Sequence, residues 1–220
     1  PAGQFLTDSP WLNLLLSPTP VRYARQQPLD PQRYVYLDGC VRREAPYIVP
    51  DFPRYNDAPL IYLSFGSLGA ADTGMMKRLI NTIETLPYRF LVNVGAYRDM
   101  YTTVPDNVYL DSWFAQPAVL KECDVFIHHG GNNSFCEALY FGLPSLIIPY
   151  CWDGHDNAAR AEEVGVGRYL PRFADPLAAL PAALEQLLAD QAMKQRLASF
   201  SERMQATRGT DIAARAILDL

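Results

Sequence analysis

The sequence is poor in the residues that build metal centres and disulfide frameworks. Its 220 residues include three histidines and four cysteines, and no two cysteines form a C-x-x-C pair. The histidines and cysteines also lack the spacing that is typical of metal ligands, so we predict no metal site and no cofactor. Cys123 and Cys136 are expected to be buried free thiols. Unpaired thiols fit a reducing compartment, and we therefore expect a cytoplasmic protein.

Long apolar segments and an excess of basic charge are also missing. No apolar run approaches the roughly 20 residues that a membrane-spanning helix needs. The N-terminus lacks the basic stretch and apolar core of a signal peptide. The net charge is −5, from 24 acidic and 19 basic residues. These features argue against a transmembrane segment, and against nucleic acid or an anionic membrane as the main partner.

The proline distribution divides the chain into two parts. Nine of the 18 prolines lie in the first 58 residues, around two short apolar runs at 11–16 and 34–37. Such a segment predicts two short strands and a long linker, without a core of its own. We therefore separate residues 1–59 from a domain at residues 60–220.

From residue 60 onwards, short apolar runs alternate with helical patterns. Strands are predicted at 60–65, 89–94, 108–111, 124–127, 145–149 and 167–170. Helices are predicted from residue 72 or 73 onwards, at 117–122, 133–141 and 156–165, and through the tail from 175 to 219. This alternation predicts an α/β fold, a Rossmann-like parallel sheet with helices on both faces. Ligands of such sheets bind at the carboxyl ends of the strands.

The segment that follows the strand at 124–127 carries the strongest candidate site. Gly130 and Gly131 allow a ligand to approach the backbone. Asn133 and Ser134 stand at a helix start, where free N–H groups and the helix dipole favour an anion. The same two residues are also ordinary helix caps, so the segment alone leaves both interpretations open. Glu137, one turn further along, could accept hydrogen bonds from both hydroxyls of a ribose.

Three other predicted strand ends carry polar or aromatic residues. Ser67 in a glycine-rich turn could donate to a phosphate. Trp113 could stack on a base, which would leave Gln116 for the ribose or the base edge. Asp153 and His155 follow the strand at 145–149. Each segment alone could be a turn, a core residue or a helix cap, but four such segments at one edge of a sheet favour a binding site.

These segments together form one longer pattern. It reads Trp113-x-x-Gln116, then His129-x-Gly131-x-Asn133-Ser134-x-x-Glu137, then Pro149-x-x-x-Asp153. The pattern resembles the donor-sugar signature of UDP-glycosyltransferases with the GT-B fold. The resemblance covers residues 60 to about 219 as the C-terminal, nucleotide-sugar-binding domain. It implies that residues 1–59 are the end of the N-terminal acceptor domain and the interdomain linker.

The resemblance also implies a role for each residue of the pattern. Trp113 would stack on uracil with Gln116 near the base and ribose, and Glu137 would hold the ribose hydroxyls. Asp153 would bind hydroxyls of the sugar. Phosphate contacts would come from Ser67, His129, Asn133 and Ser134, and Gly131 would belong to the same substrate-binding segment. His129 would also be the catalytic group of this chain, because it would stabilise charge on the departing diphosphate. His128 has no such role and is expected to be either a packing residue or a polar residue at the edge of the sheet.

The sequence departs from the family pattern in two places. The family usually has a glutamine after the aspartate, where this chain has Gly154, and His155 is a candidate to fill the gap. The family's catalytic base is a histidine of the N-terminal domain, and no residue here replaces it. We therefore expect the donor half of an enzyme that moves a hexose, from a UDP-sugar, to a hydroxyl of a small-molecule or lipid acceptor. The chain alone is expected to be inactive.

Three alternatives describe how such a chain works. It is part of a two-domain transferase, or it is a stand-alone nucleotide-sugar-binding subunit that docks a separate acceptor chain. A GT-B sugar-nucleotide epimerase is the third, and the Trp-x-x-Gln and Asn-Ser-x-x-Glu spacings disfavour it. In the first two cases the expected partners are a nucleotide sugar and an N-terminal acceptor domain.

Overall fold

The apolar runs form two separate parallel sheets. The computed structural model describes residues 7–173 and 175–220. The strands are β1 (Asn13–Leu16), β2 (Tyr34–Leu37), β3 (Leu60–Ser64), β4 (Arg89–Asn93), β5 (Val108–Asp111), β6 (Val125–His128), β7 (Ser145–Ile147) and β8 (Gly167–Tyr169). The first two pair with each other, and the other six form the main sheet in the order β5-β4-β3-β6-β7-β8. All pairs are parallel.

Helices follow most strands of the main sheet and form the C-terminal tail. They are α1 (Gly66–Ala70), α2 (Thr73–Ile83), α3 (Gln116–Val119), α4 (Asn132–Phe141), α5 (Asp153–Glu163), α6 (Pro176–Ala189), α7 (Gln191–Ala206) and α8 (Gly209–Leu218). Short 3-10 turns span Thr19–Val21, Gly95–Met100 and Leu120–Glu122. The predicted α/β fold with a Rossmann-like parallel sheet is confirmed.

Strand β3 shows why helices cover both faces of the main sheet. All of its residues are buried, and successive side chains point to opposite faces. Leu63 belongs to one apolar cluster, with Leu79 of α2. Tyr62 belongs to the other, with Val119 of α3 and Ala138 of α4. A strand buried on both faces reads as a continuous apolar run, which is the pattern in the sequence.

The strand order fixes where a ligand can enter. Along the chain, β3, β4 and β5 extend the sheet in one direction, whereas β6, β7 and β8 extend it in the other. The order therefore reverses between β3 and β6. A crevice opens at such a switch point, outside the carboxyl ends of the two strands. The loops after Ser64 and His128 border that crevice.

The segment before residue 60 is held against the main domain by hydrogen bonds from side chains of that domain to backbone carbonyls of the segment. The Asn132 side chain in α4 donates to the carbonyl of Leu16 (2.8 Å), and Arg160 in α5 donates to the carbonyl of Val21 (2.8 Å). Helix α8 packs on β2. A Cβ at Gly209 would lie 1.8 Å from the carbonyl oxygen of Asp38, so only glycine fits there. The last helix thus contacts the N-terminal segment. The division of the chain at residue 60 remains a prediction.

Two helices begin where the sequence pattern does not predict them. Helix α1 has a glycine-rich sequence with low helix propensity. Helix α5 begins at Asp153, three residues before the predicted start. Within the ranges 7–173 and 175–220, no helix is long and apolar enough to cross a lipid bilayer.

Candidate functional site

A cleft of about 330 Å³ opens at the switch point of the sheet. Its volume lies within the range of small-molecule pockets, about 300–1,000 Å³. The predicted residues that line it are Ser67, Trp113, Gln116, Asn133, Ser134 and Glu137. They come from α1, from the loop after β5, from α3 and from α4. The convergence of strand ends thus brings together residues that are far apart in the sequence.

Gln116 and Glu137 form a short polar contact in this cleft. The Gln116 amide donates to Glu137 Oε2 at 2.6 Å and to Ser134 Oγ at 3.3 Å. Glu137 is 8% exposed. Burial raises the pKa of its carboxyl, while the Gln116 hydrogen bond and the Arg42 charge act against that rise. The carboxylate therefore has a fixed orientation at the base of the cleft.

Trp113 lies at the mouth of the cleft and is 65% exposed. This exposure excludes the alternative in which it is a core residue. An aromatic face that is open to solvent beside a polar pocket is suited to stacking on a flat ring.

His129 lies where the loops after β3 and β6 meet. A Cβ at Gly66 would lie 3.2 Å from His129 Cε1, and a Cβ at Gly131 would lie 2.4 Å from Nε2. Both glycines therefore make room for the imidazole. Among the residues described, none forms a hydrogen bond with its buried Nδ1. Burial lowers the pKa of the ring, against an opposing effect of the Asp153 charge, so the ring is neutral near pH 7.

His128 lies in the core. Its Nδ1 accepts a hydrogen bond from the Gly130 N–H at 3.1 Å, and its ring lies 4.5 Å from that of Phe126. Burial lowers its pKa to about 3. A neutral, enclosed imidazole of this kind supports the glycine turn.

The start of α4 is connected to the start of α5. Asp153 Oδ2 accepts a hydrogen bond from the Asn132 N–H at 2.8 Å, and the Asn157 amide donates to the Gly130 carbonyl at 2.8 Å. Asp153 and His155 are exposed on the first turn of α5 and do not line the cleft. His129 and Gly131 border the cleft without lining it.

The described residues contain no group of three or more His, Cys, Asp or Glu side chains that could hold a metal ion.

Close backbone packing explains the glycine that departs from the family pattern. A Cβ at Gly154 would lie 2.5 Å from the carbonyl oxygen of His129. A glutamine at this position requires a shift of one of the two loops. Two residues before Gly154, Trp152 has φ 49° and is 77% exposed, in a turn that the Gly154 N–H closes on the Cys151 carbonyl at 3.1 Å.

Several residues of the cleft were not predicted from the sequence, including Arg42, Tyr62 and Asn93. Asn93 could have been predicted as a site residue, because it is a polar residue at the end of a strand, two residues before Gly95. Its Oδ1 accepts a hydrogen bond from the Gly95 N–H at 3.0 Å. Arg42 could not be predicted in this way, because it lies in the proline-rich linker and not at the end of a strand of the main sheet.

Comparisons with known proteins point to one family. A family model for the C-terminal domain of proteins like erythromycin biosynthesis protein CIII matches residues 78–217. NDP-glycosyltransferase YjiC of Bacillus subtilis is 29% identical over 161 residues, which cover 72% of this chain and 41% of YjiC. TDP-daunosamine transferase DnrS of Streptomyces peucetius is 28% identical over 198 residues, which cover 86% of this chain and 45% of DnrS.

A solved structure agrees with this match. The crystal structure of the glycotransferase of kitacinnamycin superposes with a TM-score of 0.80 and 25% identity. The match covers 96% of this chain and 55% of that protein. The chain thus spans about half the length of the proteins it matches.

Proposed function

The chain belongs to the family of C-terminal domains like that of erythromycin biosynthesis protein CIII, the C-terminal half of the GT-B fold, and we propose that it binds the donor of a glycosyltransferase. The donor is a nucleotide sugar, and we propose a UDP-hexose. The observation that supports this best is the Gln116–Glu137 pair beneath the exposed Trp113.

The chemistry of the cleft matches the parts of a nucleoside diphosphate. A carboxylate offers about four lone-pair positions. Gln116 occupies one of them on Glu137, so positions remain for two ribose hydroxyls. Trp113 presents a ring on which the base can stack. The start of α4 and the imidazole of His129 lie at the adjoining end of the cleft, where N–H groups favour a diphosphate.

We propose that an N-terminal half supplies the acceptor pocket and the catalytic base, and that the acceptor is a small molecule or a lipid. The histidines of this chain do not suit that role: His128 is buried, His129 lies against two glycines, and His155 is exposed on α5. A general base contributes about 10²–10⁴-fold to the rate, so the chain alone should show little turnover. The β1–β2 pair forms a two-stranded sheet separate from the main sheet, which fits the edge of a further domain, because sheets of two strands rarely stand without other elements packed on them. Four free cysteines support a reducing, cytoplasmic location.

A stand-alone donor-binding subunit and an epimerase are the two alternatives to a two-domain transferase. A subunit that docks a separate acceptor chain would bind the same donor and would regain activity on mixing with that chain. An epimerase would change the sugar while it is attached to the nucleotide, or release it. Product analysis with a UDP-hexose as the sole substrate separates an epimerase from a transferase.

Calorimetry of the chain with UDP tests the proposed function. We expect binding, and we expect Trp113→Ala to weaken it by about fivefold, since stacking of a base on an exposed ring contributes about 1 kcal/mol or more. Trp11→Ala is the matched control, because Trp11 is 71% exposed on the N-terminal segment. Loss of affinity in both variants, or in neither, would contradict the assignment of the base site to Trp113.

The ribose assignment predicts a preference for UDP over nucleotides without a 2′-hydroxyl. We expect UDP to bind about three- to tenfold more tightly than 2′-deoxy-UDP and dTDP, because one hydrogen bond contributes about 0.5–1.5 kcal/mol. Glu137→Gln should reduce this difference. Equal or tighter binding of dTDP would indicate a TDP-sugar donor, the class that the name of TDP-daunosamine transferase gives for that protein.

A further inference from the structure

The linker between β2 and β3 contributes a charged side chain to the cleft. Arg42 lines the cleft together with Trp113, Gln116 and Glu137. Its Nη1 lies 3.7 Å from Glu137 Oε1, and its Nε donates to Glu44 Oε1 at 2.5 Å. Among the described residues that line the cleft, Arg42 alone carries a positive charge at neutral pH.

Arg42 and Gln116 contact different oxygens of the same carboxylate. Gln116 donates to Oε2, and the Arg42 guanidinium lies beside Oε1. The two contacts limit rotation of the carboxylate and leave lone pairs on each oxygen free for a ligand. A carboxylate that reads two hydroxyls must be ionised, whereas burial favours the protonated form.

The charges around Glu137 come from several elements. Arg42 favours its ionised form and Glu44, on the same linker, opposes it. Gln116 from α3 is neutral. The thiols of Cys40 on the linker and Cys136 on α4 and the phenol of Tyr62 on β3 are also nearby, and burial raises the pKa of all three, so they are uncharged near pH 7. Arg42 is therefore the group that opposes the burial of the carboxylate by charge.

We propose that Arg42 is a positioning residue of the nucleotide site, which orients the Glu137 carboxylate so that the linker completes the ribose-binding pocket. This inference rests on the proposed function of the cleft. It means that residues 60–220 do not contain the whole nucleotide site. A change in the position of the linker would change the affinity for the nucleotide.

Ligands with and without phosphates separate this role from a direct phosphate contact. We expect Arg42→Ala to weaken uridine and UDP by the same factor at pH 7, about three- to tenfold. Titration calorimetry with UDP, and displacement of UDP by uridine, measure the two affinities. Arg43→Ala is the matched control, because this neighbouring arginine does not line the cleft. A loss for UDP without a loss for uridine would overturn the inference in favour of a phosphate contact.

The pH dependence of uridine binding is a second readout. Binding is expected to weaken as the pH falls and Glu137 becomes protonated. Without the arginine, the folded-state pKa of Glu137 rises further, so Arg42→Ala should move this weakening to higher pH, whereas Arg42→Lys should retain the wild-type profile. An unchanged profile in Arg42→Ala would overturn the inference. Failure of the wild-type chain to bind UDP or uridine would instead contradict the proposed function.

Discussion

Gly130→Ala is expected to destabilise the fold by about 2–5 kcal/mol and to disrupt the candidate site. Gly130 has φ 83°, a left-handed conformation that costs other residues about 1–2 kcal/mol. A Cβ there would lie 2.6 Å from the Gly154 carbonyl oxygen and 2.9 Å from Ile147 Cγ2. Overpacking of this kind costs a further 1–3 kcal/mol, roughly. The total is a large part of a typical stability of about 5–15 kcal/mol.

Gly74→Ala is the matched control for this substitution. Gly74 lies within α2, and the nearest atom to its Cβ would be Asp72 Oδ1 at 3.8 Å. Alanine in a helix is favoured over glycine by about 0.5–1 kcal/mol, so this variant should be slightly more stable than the wild type. Urea unfolding measures both. Similar changes in the free energy of unfolding of the two variants would show that the close approach of Gly130 to Gly154 contributes little to stability.

The fold was largely predictable because its signals are local. The run at 60–65 is apolar because β3 is buried on both faces, and α2 begins at the predicted position because the Asp72 side chain accepts a hydrogen bond from the Met75 N–H at 3.1 Å. The start of α5 was not predictable in this way. It depends on the approach of Gly154 to the His129 carbonyl, a contact between two loops that no periodic pattern records.

In the candidate site, too, residues with a local sequence signal could be predicted and residues that depend on distant contacts could not. Ser67, Gln116 and Glu137 could be placed together because each follows a strand, and parallel strands bring their carboxyl ends to one edge. Arg42 could not be placed there. It reaches Glu137 from a linker 95 residues earlier in the chain, and the path of a proline-rich segment leaves no hydrophobic periodicity. The sequence pattern marks Gly154 only as the place of a missing glutamine. In the structure, this glycine allows its loop to pack closely against the loop of His129.

His129→Ala is expected to weaken UDP binding by at least tenfold. The imidazole lies between the glycine turns that follow β3 and β6, next to the start of α4. Its lowered pKa leaves the ring neutral, so it can donate one N–H to a phosphate oxygen without carrying a charge. A hydrogen bond to a charged group contributes about 1.5–3 kcal/mol, which corresponds to about 10- to 150-fold in affinity.

Comparison of UDP with uridine identifies the part of the ligand that His129 contacts. The loss should be confined to UDP, because uridine carries no phosphate, whereas Trp113→Ala should affect both ligands. His155→Ala is the matched control, since this histidine is exposed on α5 and does not line the cleft. Wild-type affinity of His129→Ala for UDP would refute the phosphate contact. An equal loss for uridine would mean that the substitution alters the cleft as a whole, because the ring separates the backbones at Gly66 and Gly131.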